Sequence, residues 1–482
     1  MNLTDIFKSQ NNHIQILLIL SITIGLIYCL FFPSGKIDGD EFEYNIIAKN
    51  LAEHNAFSMA EYPPFDPTNK REPLYPFFLS LIYRVFRGSF FAVMIAQAFI
   101  FSLTVIFIYS FISKIADNKS AFYSSIFVTV CPPLANYTSY ILSEALFIFL
   151  LVVFVYISTM MRAHQTNKLF VASGVMLGLL TLCKAHMLYF FPFLILCIII
   201  SKWGKNIILP ILLVTVAFLI TLAPWLGRNY YLFNTWKITS QRAGMTLNVR
   251  AMKASYNGND YKNAAIYYFS EELGKIIYPD AIIKSEAFMS QFNVVVEGRE
   301  DEKYWRDYIK EKNFTLREGA IIDLKTQKFT RDGLSEVEID KILTTEALQK
   351  IKAHPFKYLL QTPFELIKMT TFTYLPLLNE EYVSSRINAA NKSLVFLIRS
   401  IIRLIAYPIL ALAIYGIYRY RDRWREFLPI LFIIIFFNLF YGLTFGYAPY
   451  ALPLMPFYIM FATMGWFKLR ERKNIISVQQ NL

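Results

Sequence analysis

A chain of 482 residues with 55% hydrophobic and 17% aromatic side chains, and only 17% charged ones, is too apolar, in runs too long, for a soluble enzyme; its mean hydropathy is +0.39. The formal charge of +13 would suit nucleic acid, but the excess Lys and Arg sit in short loops beside apolar runs, where they act as orientation signals, so no nucleic-acid partner is read from it. The composition is that of an all-α polytopic membrane protein.

Apolar runs long enough for a bilayer, which takes roughly 17 to 25 residues, occur near 14 to 32, 90 to 113, 119 to 136, 139 to 161, 168 to 184, 187 to 201, 206 to 224, 393 to 418, 427 to 446 and 448 to 466. That predicts about ten spans, within a range of roughly 9 to 13. The first run follows Lys8 and meets no small-residue cleavage site, so it reads as an uncleaved anchor. Lys114, Lys119, Arg162, Lys168, Lys202, Lys205, Arg419 to Arg425 and the tail from Lys468 all fall on one side if both termini are cytoplasmic. The loop after the first span is then extracytoplasmic in a multi-pass protein of, by this reading, a bacterial inner membrane. Three regions follow: an N-terminal transmembrane catalytic module over 1–229 with its first extracytoplasmic loop at 33–89, an extracytoplasmic insert over 230–391, and C-terminal helices with a basic tail over 392–482. The insert lacks strand-like alternation and carries a capping box at Ser335-Glu336-Val337-Glu338, which opens a helix running to about Ala353, so it is expected to be small and mainly helical. The stretch from Pro355 to Leu378, with Lys357, Glu365 and Lys368, reads as interfacial. All four cysteines, Cys29, Cys131, Cys183 and Cys197, lie in or at the ends of apolar runs and read as packing residues.

The loop after the first span begins Asp38-Gly39-Asp40-Glu41. Carboxylates at a membrane boundary are costly unless solvated, paired or used. Tyr44, Ile47, Ala48 and Leu51 then recur at helical spacing, which predicts an amphipathic interfacial helix starting close to Asp40. Three readings stay open: Asp40 as N-cap with Glu43 as its capping-box partner, Asp40 as a general base, and Asp38 with Asp40 as part of a divalent-metal site, for which two carboxylates are a weak signal.

Arg71, Lys184, Arg228 and Arg242 fall on the same side. Each alone suits snorkelling to headgroups, but positive-inside statistics deplete that side of such residues, and their natural ligand is an anion such as a lipid phosphate. Glu144 reads equally as a helix cap or a cavity residue, His186 as a partner of nearby polar groups, and Tyr75, with other loop aromatics, as a candidate for stacking on a sugar or for a membrane belt.

The order of Asp40-Glu41 with its helix, Arg71-Glu72-Pro73-Leu74-Tyr75-Pro76, Ser143-Glu144-Ala145-Leu146-Phe147, Lys184, Pro224-Trp225-Leu226-Gly227-Arg228-Asn229-Tyr230 and Tyr447-Ala448-Pro449-Tyr450-Ala451-Leu452-Pro453 resembles the GT-C glycosyltransferases of the protein O-mannosyltransferase and aminoarabinose transferase type. The resemblance covers nearly the whole chain apart from the insert. It implies a GT-C type transmembrane helical bundle and inverting sugar transfer from a polyprenyl-phosphate donor to a lipid, glycan or protein acceptor. Asp40 stands in the place of the catalytic base with Glu41 beside it, while Arg71, Lys184 and Arg228 stand where the donor phosphate is held. Asp38, Tyr75, Glu144, His186 and Arg242 are the further candidates for substrate contacts. Lys70 replaces a glutamate that resembles a metal ligand in aminoarabinose transferases, and Tyr450-Ala451 replaces an arginine ahead of the last Leu-Pro. No cofactor is therefore assigned, with a divalent metal left open.

The rival classes are a lipid or glycolipid flippase, a non-catalytic binder of lipid-linked glycan, and a ligase moving whole oligosaccharides. A transporter usually shows inverted repeats and glycine-broken helices at mid-membrane, neither of which is evident here, and the charges gather at one face.

Overall fold

The computed structural model describes residues 3–32, 39–201, 207–240, 242–255, 258, 277, 286–299, 301–311, 314–370 and 392–480. Among these the regular elements are helices, with one isolated β-bridge between Ser58 and Pro67. The chain divides into two compact units. One comprises Met1–Leu232, Phe372–Phe436 and Ala451–Leu482; the other comprises Phe233–Thr371 and Phe437–Tyr450.

The first unit begins with α1 (Leu3–Phe31), α2 (Gly39–His54), α3 (Leu74–Phe86), α4 (Phe90–Ile115), α5 (Asn118–Thr129) and α6 (Pro132–Asn136). It continues with α7 (Glu144–His164), α8 (Asn167–Cys183), α9 (Phe191–Ile200) and α10 (Ile208–Phe233). Six described helices are long and apolar enough to cross a membrane, at Asn11–Phe31, Phe90–Ile115, Glu144–His164, Ile208–Phe233, Ser400–Arg419 and Pro449–Glu471. Shorter apolar helices lie at Leu74–Phe86, Asn167–Cys183, Ala185–Ile200 and Leu428–Leu443. The run at 119 to 136, expected as one span, is two helices instead. Pro132 and Pro133 have no N–H to donate to a continuing helix, so the chain ends α5 at Thr129 and restarts with proline in the first turn of α6.

Helices of this unit approach closely where side chains are small. A methyl group on Gly25 would lie 2.8 Å from Ala98 Cβ, at the α1–α4 contact that also buries Cys29 and Met94. A Cβ on Gly416 would collide with the Phe461 carbonyl, so glycine is what lets the helix Lys392–Arg419 lie against Met455–Gln480. Hydroxyls inside the apolar helices donate to their own backbone: Ser102 to Ala98, Thr104 to Ile100 and Thr181 to Leu177, at 2.8 to 3.0 Å. The four cysteines are buried thiols.

In the second unit, α11 (Arg242–Met252), α12 (Glu286–Val296), α13 (Glu302–Glu311), α14 (Phe314–Arg331) and α15 (Glu336–Ala353) precede the short α16 (Pro355–Leu360) and α17 (Thr362–Thr370). Val249, Met252, Phe292, Val296, Ile321, Ile322, Ile339 and Leu343 form its core. The capping box at Ser335 and Glu338 is made as the sequence predicts, and α15 runs to Ala353. Asp340, 1% exposed, accepts from Lys237 Nζ at 2.6 Å and from the Gly244 N–H at 2.8 Å, which fixes the start of α11 to α15.

Glu365 and Lys368, read from the sequence as interfacial, are buried in this unit. The Glu365 carboxylate accepts from Lys253 at 3.0 Å, Lys368 at 3.3 Å and the Gly446 N–H at 2.8 Å, and lies 3.4 Å from Arg250. Burial alone would raise its pKa, but Lys253, Lys368 and Arg250 outweigh that and hold it at about 2.

Candidate active site

The site is built from the start of α2, the return chain from Phe57 to Glu72, the start of α7 and the end of α8. Asp40 and Glu41 lie in the first turn of α2, where carboxylates complement the helix dipole. Tyr44, Ile47, Ala48 and Leu51 are buried, the stripe that the spacing predicts. Asn50, on the same side, donates to the carbonyls of Ser58 and Ala60 at 2.9 Å each, and Thr68 N–H bonds the Phe57 carbonyl at 3.0 Å. These bonds fold the return chain back so that Lys70 and Arg71 meet the first turns of α2.

Arg71 is 1% exposed. Its Nη2 donates to Asp40 Oδ1 at 2.5 Å, its Nε to the Glu43 carboxylate, and its guanidinium carbon lies 4.7 Å from the Tyr44 ring centroid. Nη1 is buried with no hydrogen-bond partner among the described residues. Burial would lower the guanidinium pKa, but Asp40, Tyr44 and Glu43 hold it well above its ordinary value, so Arg71 is a fixed cation. Asp40 itself is half exposed, at 52% for the side chain.

The Glu43 carboxylate takes Lys70 at 2.7 Å as well as Arg71, an orienting role beyond the capping-box reading that its position also offers. Its signal was present: Glu43 lies three residues after Asp40 on one helix face, opposite two consecutive basic residues.

A second ion pair joins Lys184, at the end of α8, to Glu144, at the start of α7, at 3.0 Å. The next N–H, of Ala185, donates to Glu72 Oε1 at 3.1 Å. Tyr44 connects the two pairs, with its ring under Arg71 and its hydroxyl 3.4 Å from Ser143 Oγ. Arg228 stacks on Trp225 and Phe57, 4.5 and 5.2 Å from their centroids, and donates to the Thr68 carbonyl at 3.1 Å and to Asn229 at 2.9 Å. It therefore braces the chain three residues before Arg71.

The remaining sequence-predicted residues fall as follows. Glu41 is buried and accepts the Ile141 N–H at 2.7 Å, which ties α2 to the segment before α7. Tyr75 is fully buried, donates to Gln97 at 2.9 Å and packs edge-on against Tyr44. Gln97 in turn donates to the carbonyls of Thr138 and Tyr140. His186 sits among rings, 5.7 Å from Phe147 and 6.3 Å from Phe436. Asp38 lies outside the described residues, and Arg242 opens α11 of the other unit with its side chain outside them.

Among the described residues no group of three or more His, Cys, Asp or Glu is placed to hold a metal. Asp40 and Glu43 already face a guanidinium, a donor set that does not fit a divalent cation. What the arrangement offers is a carboxylate open to solvent, able to take a proton, beside a buried fixed cation with an N–H still to give.

Residues 67–227 match the family described as dolichyl-phosphate-mannose-protein mannosyltransferase. That stretch holds Arg71, Glu72, Glu144 and Lys184 and ends one residue before Arg228. No curated protein matches the chain by sequence. In fold it is similar to the archaeal oligosaccharyltransferase AglB from Archaeoglobus fulgidus in complex with an inhibitory peptide and a dolichol-phosphate, with a TM-score of 0.51 and 12% identity over 98% of this chain and 52% of that one. It is also similar to the Archaeoglobus fulgidus oligosaccharyltransferase in complex with Zn and sulfate, with a TM-score of 0.49 and 12% identity over 95% of this chain and 50% of that one. ArnT from Cupriavidus metallidurans in the apo state gives a TM-score of 0.40 and 12% identity over 95% of this chain and 77% of that one. The chain thus spans about half the length of the oligosaccharyltransferase it matches. The resemblance to GT-C glycosyltransferases is borne out by the family match and the shared fold, and the chain is an integral membrane protein with an all-α bundle of that type.

Proposed function

We propose that this chain is a glycosyltransferase that moves a sugar from a polyprenyl-phosphate donor to a lipid, glycan or protein acceptor, on the extracytoplasmic face and with inversion at the anomeric carbon. The observation that carries this is the pairing of half-exposed Asp40 with buried Arg71, whose Nη1 has no partner among the described residues. The family match over 67–227 supports glycosyl transfer, and the oligosaccharyltransferase of similar fold is known in complex with a dolichol-phosphate and an inhibitory peptide.

In the proposed step the acceptor hydroxyl attacks the anomeric carbon from the face opposite the phosphate. The new C–O bond forms as the bond to the phosphate oxygen breaks, the bonding pair leaves with the phosphate, and the hydroxyl proton passes to Asp40. Arg71 gives its remaining N–H to the departing phosphate, and Lys184 and Arg228 add positive charge from fixed positions, so little reorganisation is needed as charge develops. With both termini cytoplasmic, the Lys and Arg asymmetry puts α2 and the return chain outside.

The test is purified protein in detergent with a polyprenyl-phosphate sugar and an acceptor, where a flippase has no compartments to work between. Transfer that needs Asp40 and Arg71 supports the reading; no turnover with several donors, alongside vectorial lipid movement in liposomes, overturns it. Sidedness is read by impermeant labelling against the buried native thiols: cysteine at exposed Tyr62 reacts from outside and cysteine at exposed Lys119 does not.

A further inference from the structure

Beside the ion pairs, four polar atoms are buried with no hydrogen-bond partner among the described residues: Asn69 Oδ1 and Nδ2, Glu72 Oε2 and Glu144 Oε2. Asn69 is 0% and Glu72 7% exposed. Buried polar atoms are nearly always satisfied, so atoms left over on Asn69 and Glu72, which flank Lys70 and Arg71 in the chain, and on Glu144, the partner of Lys184, call for a ligand or for water.

The two carboxylates are already anchored. Glu72 uses Oε1 on the Ala185 backbone N–H and Glu144 uses Oε1 on the Lys184 side-chain ammonium, so both carboxylates are anchored to consecutive residues, each with its second oxygen left over. Three of the four atoms are acceptors and two of those belong to carboxylates. Such a set gains nothing from apolar groups; it is satisfied by hydrogen-bond donors, several of which a sugar ring presents together as O–H groups. Glu72 also directly follows Arg71, whose vacant Nη1 suits a phosphate oxygen. A sugar linked to phosphate would offer an anion to one residue and hydroxyls to the next.

We infer that Asn69, Glu72 and Glu144 form a subsite for the hydroxyls of the donor sugar and set which sugar is accepted. The inference rests on the reading of Asp40 and Arg71 as the centre of a polyprenyl-phosphate-sugar transferase.

The test measures binding, not turnover. Wild type, Asn69→Ala, Glu72→Gln and Glu144→Gln are titrated with bare undecaprenyl phosphate and with undecaprenyl phosphate bearing glucose, mannose or galactose, and then with deoxy analogues of the preferred sugar. The wild type prefers one glycoside to the bare lipid. Asn69→Ala and Glu72→Gln bind the bare lipid within about twofold of wild type, Glu144→Gln, which no longer holds Lys184 by an ion pair, binds it more weakly, and relative to its own bare-lipid affinity each variant loses roughly 10- to 100-fold for the preferred glycoside, the scale of a hydrogen bond to a charged group. The deoxy analogue lacking the contacted hydroxyl loses as much on wild type and nothing further on the matching variant. The analogue series on wild type alone decides the matter if a variant does not fold. Variants that keep the wild-type preference show that the four atoms hold water only and overturn the inference. A wild type that binds the bare lipid but gains nothing from any sugar overturns it while leaving the transferase's phosphate site standing. A wild type that binds neither overturns both.

Discussion

Each unit buries an arginine against a tyrosine ring, Arg71 over Tyr44 at 4.7 Å and Arg250 over Tyr358 at 4.8 Å, and the two surroundings differ in what they leave undone. In the second unit the Glu365 carboxylate is 0% exposed and takes Lys253, Lys368 and the Gly446 N–H, with Arg250 alongside. Both of its oxygens are satisfied. Both arginines keep buried nitrogens without a hydrogen-bond partner among the described residues, Nη1 of Arg71 and Nε and Nη1 of Arg250, so the difference lies in the carboxylates: in the first unit Asp40 is half exposed, and Glu72 and Glu144 each use one oxygen on the protein. A carboxylate whose oxygens are all met by cations is a staple between chain segments 112 residues apart. A cluster of the same residue types with bonds left to make is arranged for something that comes and goes.

The contrast breaks most clearly at Glu365. Glu365→Gln leaves Lys253, Arg250 and Lys368 buried around a neutral amide and is expected to destabilise the second unit by about 3 to 5 kcal/mol, the scale for removing one partner of a buried pair. Hydrogen exchange over α11 and α17 measures it, and protection equal to wild type would show that the cluster is no staple. Smaller effects are expected from Arg71→Gln, Lys184→Met and Arg228→Gln: about 10- to 100-fold each in kcat/KM, the scale of one charge-assisted contact. If the three serve one phosphate, as proposed, the doubles fall short of the product of the singles. Strict multiplicativity would separate their roles.

A pH titration sharpens the same comparison with a milder effect. The pKa of Glu365 is depressed from 4.5 to about 2 in the folded chain, so its contribution is fully present above about pH 4.5 and is lost as pH falls toward 2. Stability of the second unit should be flat with respect to this group from neutrality to about pH 4.5 and decline below it. Glu365→Gln should remove that part of the decline, and a decline unchanged in the variant would assign it to other carboxylates.

The sequence carried faces and punctuation well and partners poorly. The buried stripe of α2 follows from the spacing of Tyr44, Ile47, Ala48 and Leu51, and the start of α15 from the Ser335 and Glu338 pair, because both depend on neighbours within a turn or two. Arg71 and Lys184 stood out by type and position. What they face did not: Glu43 lies 28 residues from Arg71 and Glu144 40 residues from Lys184, and nothing local says that the chain between them folds back. For the same reason the ion pairs of Glu43 were not legible beside its capping-box reading, and Glu365 reads as an interfacial charge. Hydropathy read 119 to 136 as one uninterrupted run because an apolar count does not register that Pro132 and Pro133 lack N–H groups and divide it into two helices.

The central claim is that Asp40 takes the proton from the acceptor hydroxyl. Asp40→Asn keeps the size of the side chain and an oxygen for Arg71 but cannot take a proton, and at 52% exposure its loss should change stability by less than about 1 kcal/mol. The most direct measurement is turnover of purified Asp40→Asn at saturating polyprenyl-phosphate sugar and acceptor, beside wild type of equal thermal stability. A fall of roughly 10²- to 10⁴-fold in kcat, the usual contribution of a general base, is the predicted result. Turnover within a few-fold of wild type would remove Asp40 from the role.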